Sequence, residues 1–162
     1  MNYFESENHK NALKNVIDSW RGTPHWHLKA VKKRGVDCSL LVGKCLEEIG
    51  VLQKIDFEFI HPDWPTCSHN QFMMNTYVKN LDTNMFPGIG YNHFVYAPNM
   101  KLVYGDILIF AMLKNSKSKA HSAIYIGDNL FVQAIQYRTV GDMVLGKYFL
   151  DRITDVFRIV EE

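Results

Sequence analysis

The stretch HSAIYIGDNLFVQAI, residues 121–135, decides the fold. Two short runs rich in Ile, Val, Phe and Tyr flank Gly-Asp-Asn, the composition of two strands on either side of a hairpin turn. Side chains alternate faces along a strand, so the loop length fixes which residues meet across the pair. If Gly127, Asp128 and Asn129 form a three-residue loop with Asn129 left-handed, Ala123 opposes Gln133, and His121 shares the face of Gln133 one diagonal step away. A two-residue loop instead sets Gln136 opposite His121. The three-residue reading is preferred, and with it Gln133.

Outward from this hairpin, GDILIFAM (residues 105–112) and VFRIV (residues 156–160) have the same strand character, bounded by Gly, Asp or Asn. Gly105 and Asp106 read as the turn that starts the sheet. The amino-terminal half has a different period. From Asn8, available as a cap, Ala12, Leu13, Val16, Ile17 and Trp20 recur at helical spacing until Gly22 and Pro24 end the pattern. Cys38, Leu41, Val42, Cys45, Leu46 and Ile49 form one stripe of a second helix, closed by Gly50. Ser68 and Gln71 make a capping box for a third helix reaching Asn80, which DTNMFPGIG then breaks. Helices first and strands afterwards predict an α+β class with amino-terminal helices packed on a mostly antiparallel carboxy-terminal sheet.

With 162 residues, 47% hydrophobic and 22% charged, the chain reads as one domain over 1–162 with its own core. A formal net charge of +1 argues against a nucleic-acid-binding surface. One basic run, KAVKKRG at residues 29–35, is either a solvated loop or an attractor of anionic substrate. No apolar run is long enough for a secretory leader or a membrane span, so the expectation is synthesis in the cytoplasm without a signal peptide. Three cysteines at unpaired spacings suggest free thiols rather than a disulfide framework.

Cys38 has two readings. On the apolar stripe it is a small buried hydrophobe, as Cys45 is. In the first turn of a helix it also meets unpaired N–H groups and the positive end of the helix dipole, which lower a thiol pKa and can hold an oxyanion. Asp37 beside it is either a helix cap or an acceptor for a substrate amine. A thiol needs a base, and His121, at a strand mouth after the polar loop KNSKSKA, is the best placed. His9, His61, His69 and His93 lie near the terminus or in turns, where an exposed role is the default. Gln133 would hold the tautomer of His121; its bland reading is a buried amide satisfied by backbone. A zinc site is the third possibility, prompted by His25 and His27 and by Cys67 near His69, but neither pair has a matching second pair at structural-zinc spacing. No metal or cofactor is expected.

Three ordered blocks, VDCSLLV, YGDILIF and HSAIYIGDNLFVQA, resemble the NlpC family of papain-like cysteine peptidases that cut peptidoglycan stem peptides. WRGTPHWHLKAVKKRGVDCSLLVGKCLEEIGV is similar to the opening of its phage-tail and gene-transfer-agent branch, whose members begin Trp-x-Gly-Thr-Pro-Tyr-x-His. The resemblance runs from about Trp20 to the carboxyl terminus. It implies a papain-like fold with Cys38 as nucleophile, His121 as general base and Gln133 as the third polar residue, commonly His in the family and in some members Asn or Gln. It further implies that Asp37 and Ser39 line the substrate groove, and that His25 replaces a tyrosine thought to contact substrate or the oxyanion. Leu40 stands where a glycine is common, and Tyr104 where a proline precedes Gly-Asp, which changes groove shape more than thiol chemistry.

The resemblance therefore implies hydrolysis of an amide in the stem peptide, at the γ-D-glutamyl to diamino acid bond, with no metal or organic cofactor. The implied partners are the stem peptide and phage-tail proteins, with action at the cell wall after delivery by a phage-like tail or by lysis. A catalytically silent tail or wall-binding module with this fold, and an acyltransferase or secreted effector amidase using the same triad, remain open alternatives at this stage.

Overall fold

The computed structural model describes residues 1–56, 72–112 and 121–162. After a 3-10 turn at Tyr3–Glu5 come α1 (Glu7–Trp20), a two-stranded ribbon of β1 (Ala30–Val31) and β2 (Gly35–Val36), α2 (Cys38–Glu48) and α3 (Phe72–Thr83). Then follow β3 (Ile89–Val95), β4 (Ile107–Phe110), β5 (His121–Gly127), β6 (Leu130–Gln133), β7 (Gly141–Val144), a short α4 (Lys147–Leu150) and β8 (Ile153–Glu161). The last six strands form one sheet in the order β3-β8-β4-β5-β6-β7, antiparallel at every pairing. The α+β class expected from the order of periods is the class observed.

The sheet has a covered face on each side. Leu13, Ile17 and Trp20 of α1, Leu41, Val42 and Leu46 of α2, and Tyr77 and Leu81 of α3 pack against Ile107, Ile109, Ile124 and Phe157. Leu108, Phe110, Phe131 and Val156 point the other way, into a second cluster closed by Phe149 and Leu150. Double coverage explains why Ile107–Phe110 is apolar at every position instead of alternating. The edge strands β3 and β7 are half exposed, with Asn92, His93 and Asp142 among them, and that weak apolar signal is why neither was legible in the sequence.

Three local expectations are corrected. Helix α1 starts after Ser6 rather than Asn8: the 3-10 turn buries Tyr3 and Phe4, Ser6 is the last extended residue, and its carbonyl accepts from Lys10 N at 3.0 Å. Helix α3 continues past Asn80 to Thr83. Asn80 is 2% exposed, and its amide bonds Asp56 and Thr76, so it serves the helix interior rather than its end. The capping box at Ser68 and Gln71 lies outside the described residues.

The third correction concerns the hairpin. Asp128 (φ 51°) and Asn129 (φ 57°) are both left-handed, and Gly127 pairs with Leu130, so the turn itself has two residues. A register shift between Tyr125 and Gly127 inserts one extra residue, after which Ile124 pairs with Val132. Continued one step, that register sets Ala123 against Gln133. The bulge restores the pairing that a three-residue loop would have produced.

Gly105 holds the entry to β4. Its φ is +87°, and a Cβ there would sit 2.0 Å from Phe4 Cδ2, inside the ring that plugs the amino-terminal side of the core. Gly105→Ala is expected to lower stability by about 2–4 kcal/mol through combined backbone strain and overpacking, read as a drop in the urea midpoint at unchanged slope. Asp106 next to it is 1% exposed. Its carboxylate takes two 2.8 Å bonds from Arg158 and one from Val103 N, tying the β4 entry to β8. The structural reading of Gly105 and Asp106 is the one the packing supports.

Candidate active site

The site is built on the amino end of α2. Asp37 is its N-cap: Oδ1 accepts from Leu40 N at 2.8 Å and from Ser39 Oγ at 3.0 Å, and Oδ2 accepts from Leu28 N at 2.8 Å. The carboxylate thus joins the helix start to the 25–29 segment, which a parallel bridge between His25 and Val36 also holds. Asp37 and Ser39 are 5% and 3% exposed, and their side chains bond each other and the protein frame.

Cys38 occupies the first helical position, 8% exposed. The backbone N–H of Ser122, together with those of Ser39 and of Cys38 itself, favours charge on its sulfur. Ser122 Oγ donates to the Cys38 carbonyl at 3.2 Å and lies 2.8 Å from Tyr77 Oη, which donates to the Ser39 carbonyl at 3.1 Å. Two hydroxyl protons therefore serve three contacts that lock α2, α3 and β5 together. Sequence reasoning missed both side chains. Strand parity would have found Ser122, since the neighbour of His121 must face the helices; nothing in the sequence distinguishes Tyr77 from a core tyrosine.

His121, at the first position of β5, is 6% exposed. Its Nε2–H donates to Gln133 Oε1 at 2.6 Å. That bond commits Nε2 to the proton and leaves the Nδ1 lone pair as the basic position. Gln133, 2% exposed on β6, is the amide that meets the imidazole, whereas Gln136 is exposed beyond the strand end. The carbonyl of a neutral amide orients the ring without contributing a full charge. His25 is half-buried nearby; burial lowers its pKa, Asp37 opposes that shift and His27 adds to it, so its imidazole is neutral at pH 7.

The charge state differs from the expected one. Burial pushes the Cys38 thiol up to about 12, Asp37 adds to the rise, and the three N–H groups recover only part of it. Burial outweighs what the helix end and its N–H groups offer a thiolate, so the expected lowering of the thiol pKa does not occur. His121 is pushed down to about 4, first by burial and then by His25, with Gln133 opposing. At neutral pH Cys38 is a thiol and His121 a neutral imidazole.

A linkage consequence follows. An imidazole that titrates near 4 when folded and near 6.5 when unfolded gives stability present above pH 6.5 and lost as pH falls toward 4. The contribution is up to about 3 kcal/mol. Denaturant midpoints at pH 7 and pH 4.5 are expected to differ more in the wild-type protein than in His121→Gln; equal differences would place the titration elsewhere.

His9 and His93 are structural. His9 stacks on Tyr3 at 3.9 Å, and His93 pairs with buried Asp155 at 2.8 Å while stacking on Phe157. His61, Cys67 and His69 lie outside the described residues. Among the described residues no three His, Cys, Asp or Glu side chains are grouped to hold a metal, His25 and His27 included.

No family model and no curated protein matches this sequence. Solved structures do. An NlpC/P60 family protein from Bacillus cereus matches with a TM-score of 0.55 and 19% identity over 90% of this chain and 39% of its own. A lipoprotein-like NLP/P60 protein from Staphylococcus aureus gives 0.58 and 15% over 97% and 43%. The NlpC/P60 domain of the peptidoglycan hydrolase SagA gives 0.54 and 16% over 91% and 96%. The chain thus spans about two fifths of the first two proteins and nearly the whole of the third domain. The all-antiparallel six-stranded sheet with helices packed on one face is the α+β fold that the chain shares with these NlpC/P60 structures.

Proposed function

We propose that the protein is a cell-wall cysteine endopeptidase that hydrolyses an amide in peptidoglycan stem peptides, at the γ-D-glutamyl to diamino acid bond. The observation that carries this reading is the 2.6 Å bond from His121 Nε2–H to Gln133 Oε1, which leaves Nδ1 as the basic nitrogen on the strand whose next residue, Ser122, contacts Cys38. The resemblance of the Cys38, His121 and Gln133 blocks to NlpC peptidases, and the fold shared with peptidoglycan hydrolases, supply the substrate class.

In this mechanism Cys38 attacks the amide carbonyl as its proton passes to His121 Nδ1, so that the thiolate never has to exist as a resting species. The tetrahedral intermediate collapses, the C–N bond breaks and the leaving amine takes the proton from His121. Water, deprotonated by the same nitrogen, then cleaves the thioester and returns the proton to sulfur. His25, neutral at working pH, is a hydrogen-bond donor to the oxyanion in the place of the family tyrosine. Asp37 and Ser39 shape the groove floor and orient substrate through the helix start they stabilise.

The phage-tail branch, suggested by the WRGTPHWH segment, supplies the delivery route and the tail-protein partners. Incubation of purified sacculi with the protein is expected to release fragments ending in γ-D-glutamate and fragments beginning with the diamino acid, resolved by mass spectrometry. Products lengthened by a second amine instead of water would make it an acyltransferase. A binding module without activity is favoured by one observation, the burial of both Cys38 and His121, and intact sacculi would establish it.

A further inference from the structure

We propose that the cleft between residues 24–27 and 136–139 is a saccharide subsite that takes an N-acetylhexosamine chain, the glycan to which the stem peptide is attached. This deepens the hydrolase reading and rests on it for the identity of the polymer. The cavity measures about 650 Å³ and is lined by His25, Trp26, His27, Gln136, Tyr137 and Thr139 among others, within the range of small-molecule sites.

Two rings are held out toward solvent. Trp26 is 58% exposed. Its side chain lies on Gly35, where a Cβ would come within 2.6 Å of Trp26 Cβ, and Lys29 Nζ sits 4.4 Å from the indole centroid. Tyr137 is 94% exposed, carried on a left-handed backbone (φ 65°) in the turn that Arg138 N closes on Ile135 O at 3.1 Å. The two walls are joined rather than loose: His25 N donates to Arg138 O at 3.1 Å, Val140 N to Thr23 O at 2.8 Å, and Pro24 bridges Thr139. Trp26 is held by Gly35 and Lys29, and the bonds between the walls fix the backbone that carries Tyr137, which reduces the ordering cost of binding.

The chemistry of the walls selects the ligand. Pyranose rings present C–H faces that stack on aromatic rings and equatorial hydroxyl and acetamido groups that hydrogen-bond to neutral side chains. Trp26 and Tyr137 supply the first, and Gln136, Thr139 and His27 the second. Position agrees: one wall continues through the His25–Val36 bridge to Cys38, and the other is the chain that leaves β6 three residues after Gln133. A peptide lying at the catalytic pair therefore places its attached sugar in this cleft.

The test is titration of the whole protein with tri-N-acetylchitotriose, followed by tryptophan fluorescence and by amide chemical shifts. Saturable binding is expected. Trp26→Ala and Tyr137→Gly should each weaken it by about tenfold, the glycine removing the ring while keeping the backbone, and Tyr137→Phe should retain it. Absence of saturable binding, equal binding by the ring-deleted variants, or shifts at Trp26 produced by free stem peptide and not by sugar would overturn the proposal. Binding needs no hydrolysis, so chitotriose bound by a protein that leaves sacculi intact would uphold this subsite while refuting the hydrolase.

Discussion

Cys38→Ala is expected to abolish release of stem-peptide fragments from sacculi, lowering the rate by at least about 10⁴-fold, because the proposed acyl intermediate forms on its sulfur. The variant should remain folded. Removing one sulfur at a position walled by N–H groups and a turn costs about 1 kcal/mol, and Asp37, Ser122 and Tyr77 hold the helix start through backbone and side-chain bonds that do not involve the thiol. Circular dichroism and the thermal midpoint check this directly. Undiminished hydrolysis by the alanine variant would remove the nucleophile from the mechanism and leave another group to be found. Cys45, fully buried against the core and held protonated by burial, is the internal control: Cys45→Ala should alter stability and leave turnover nearly unchanged.

His121→Gln is expected to cost about 10³-fold, within the range for loss of a positioned general base. If the two residues act as one unit, Cys38→Ala combined with His121→Gln should be no slower than Cys38→Ala alone. The pH profile supplies the sharper reading. The imidazole must be neutral to accept the thiol proton, so kcat/KM of the wild-type protein should hold from neutral pH downward and fall only as pH approaches about 4. Gln133→Glu puts a carboxylate on Nε2, favours the imidazolium and should move that acid limb upward; Gln133→Ala should lower kcat without moving KM comparably. An acid limb near 6.5 in the wild-type protein, unmoved by Gln133→Glu, would detach Gln133 from the imidazole.

The neutral thiol and the neutral imidazole have their main origin in burial, which pushes Cys38 up and His121 down. The Asp37 carboxylate, which caps α2 through Leu40 N, adds to the rise at the sulfur, while the N–H groups of Ser122, Ser39 and Cys38 oppose it. Proton transfer concerted with attack is the chemistry that such a pair allows.

Much of the fold was legible because it rests on local periods. The stripe from Cys38 to Ile49, the helix ending at Trp20 and the runs that became β4, β5 and β8 are each set by apolar spacing over a few residues. Where the period was weak, reading failed: β3 and β7 carry polar residues on open edges, and the start of α1 depended on Tyr3 and Phe4 being buried by a distant Gly105. The Gln133 register was reached through a loop of the wrong length, since a bulge at Ile126 compensated for the shorter turn.

By itself, then, the sequence determined the class of fold, the helix that carries Cys38 and the strand that begins at His121, all consequences of repeat distances measured along one chain. Only the tertiary structure decided the protonation of the pair, the Ser122–Tyr77 lock behind Cys38 and the cleft walled by Trp26 and Tyr137. Desolvation and contact between residues 38 to 111 positions apart depend on what the whole chain packs around a group, a quantity that no local spacing contains.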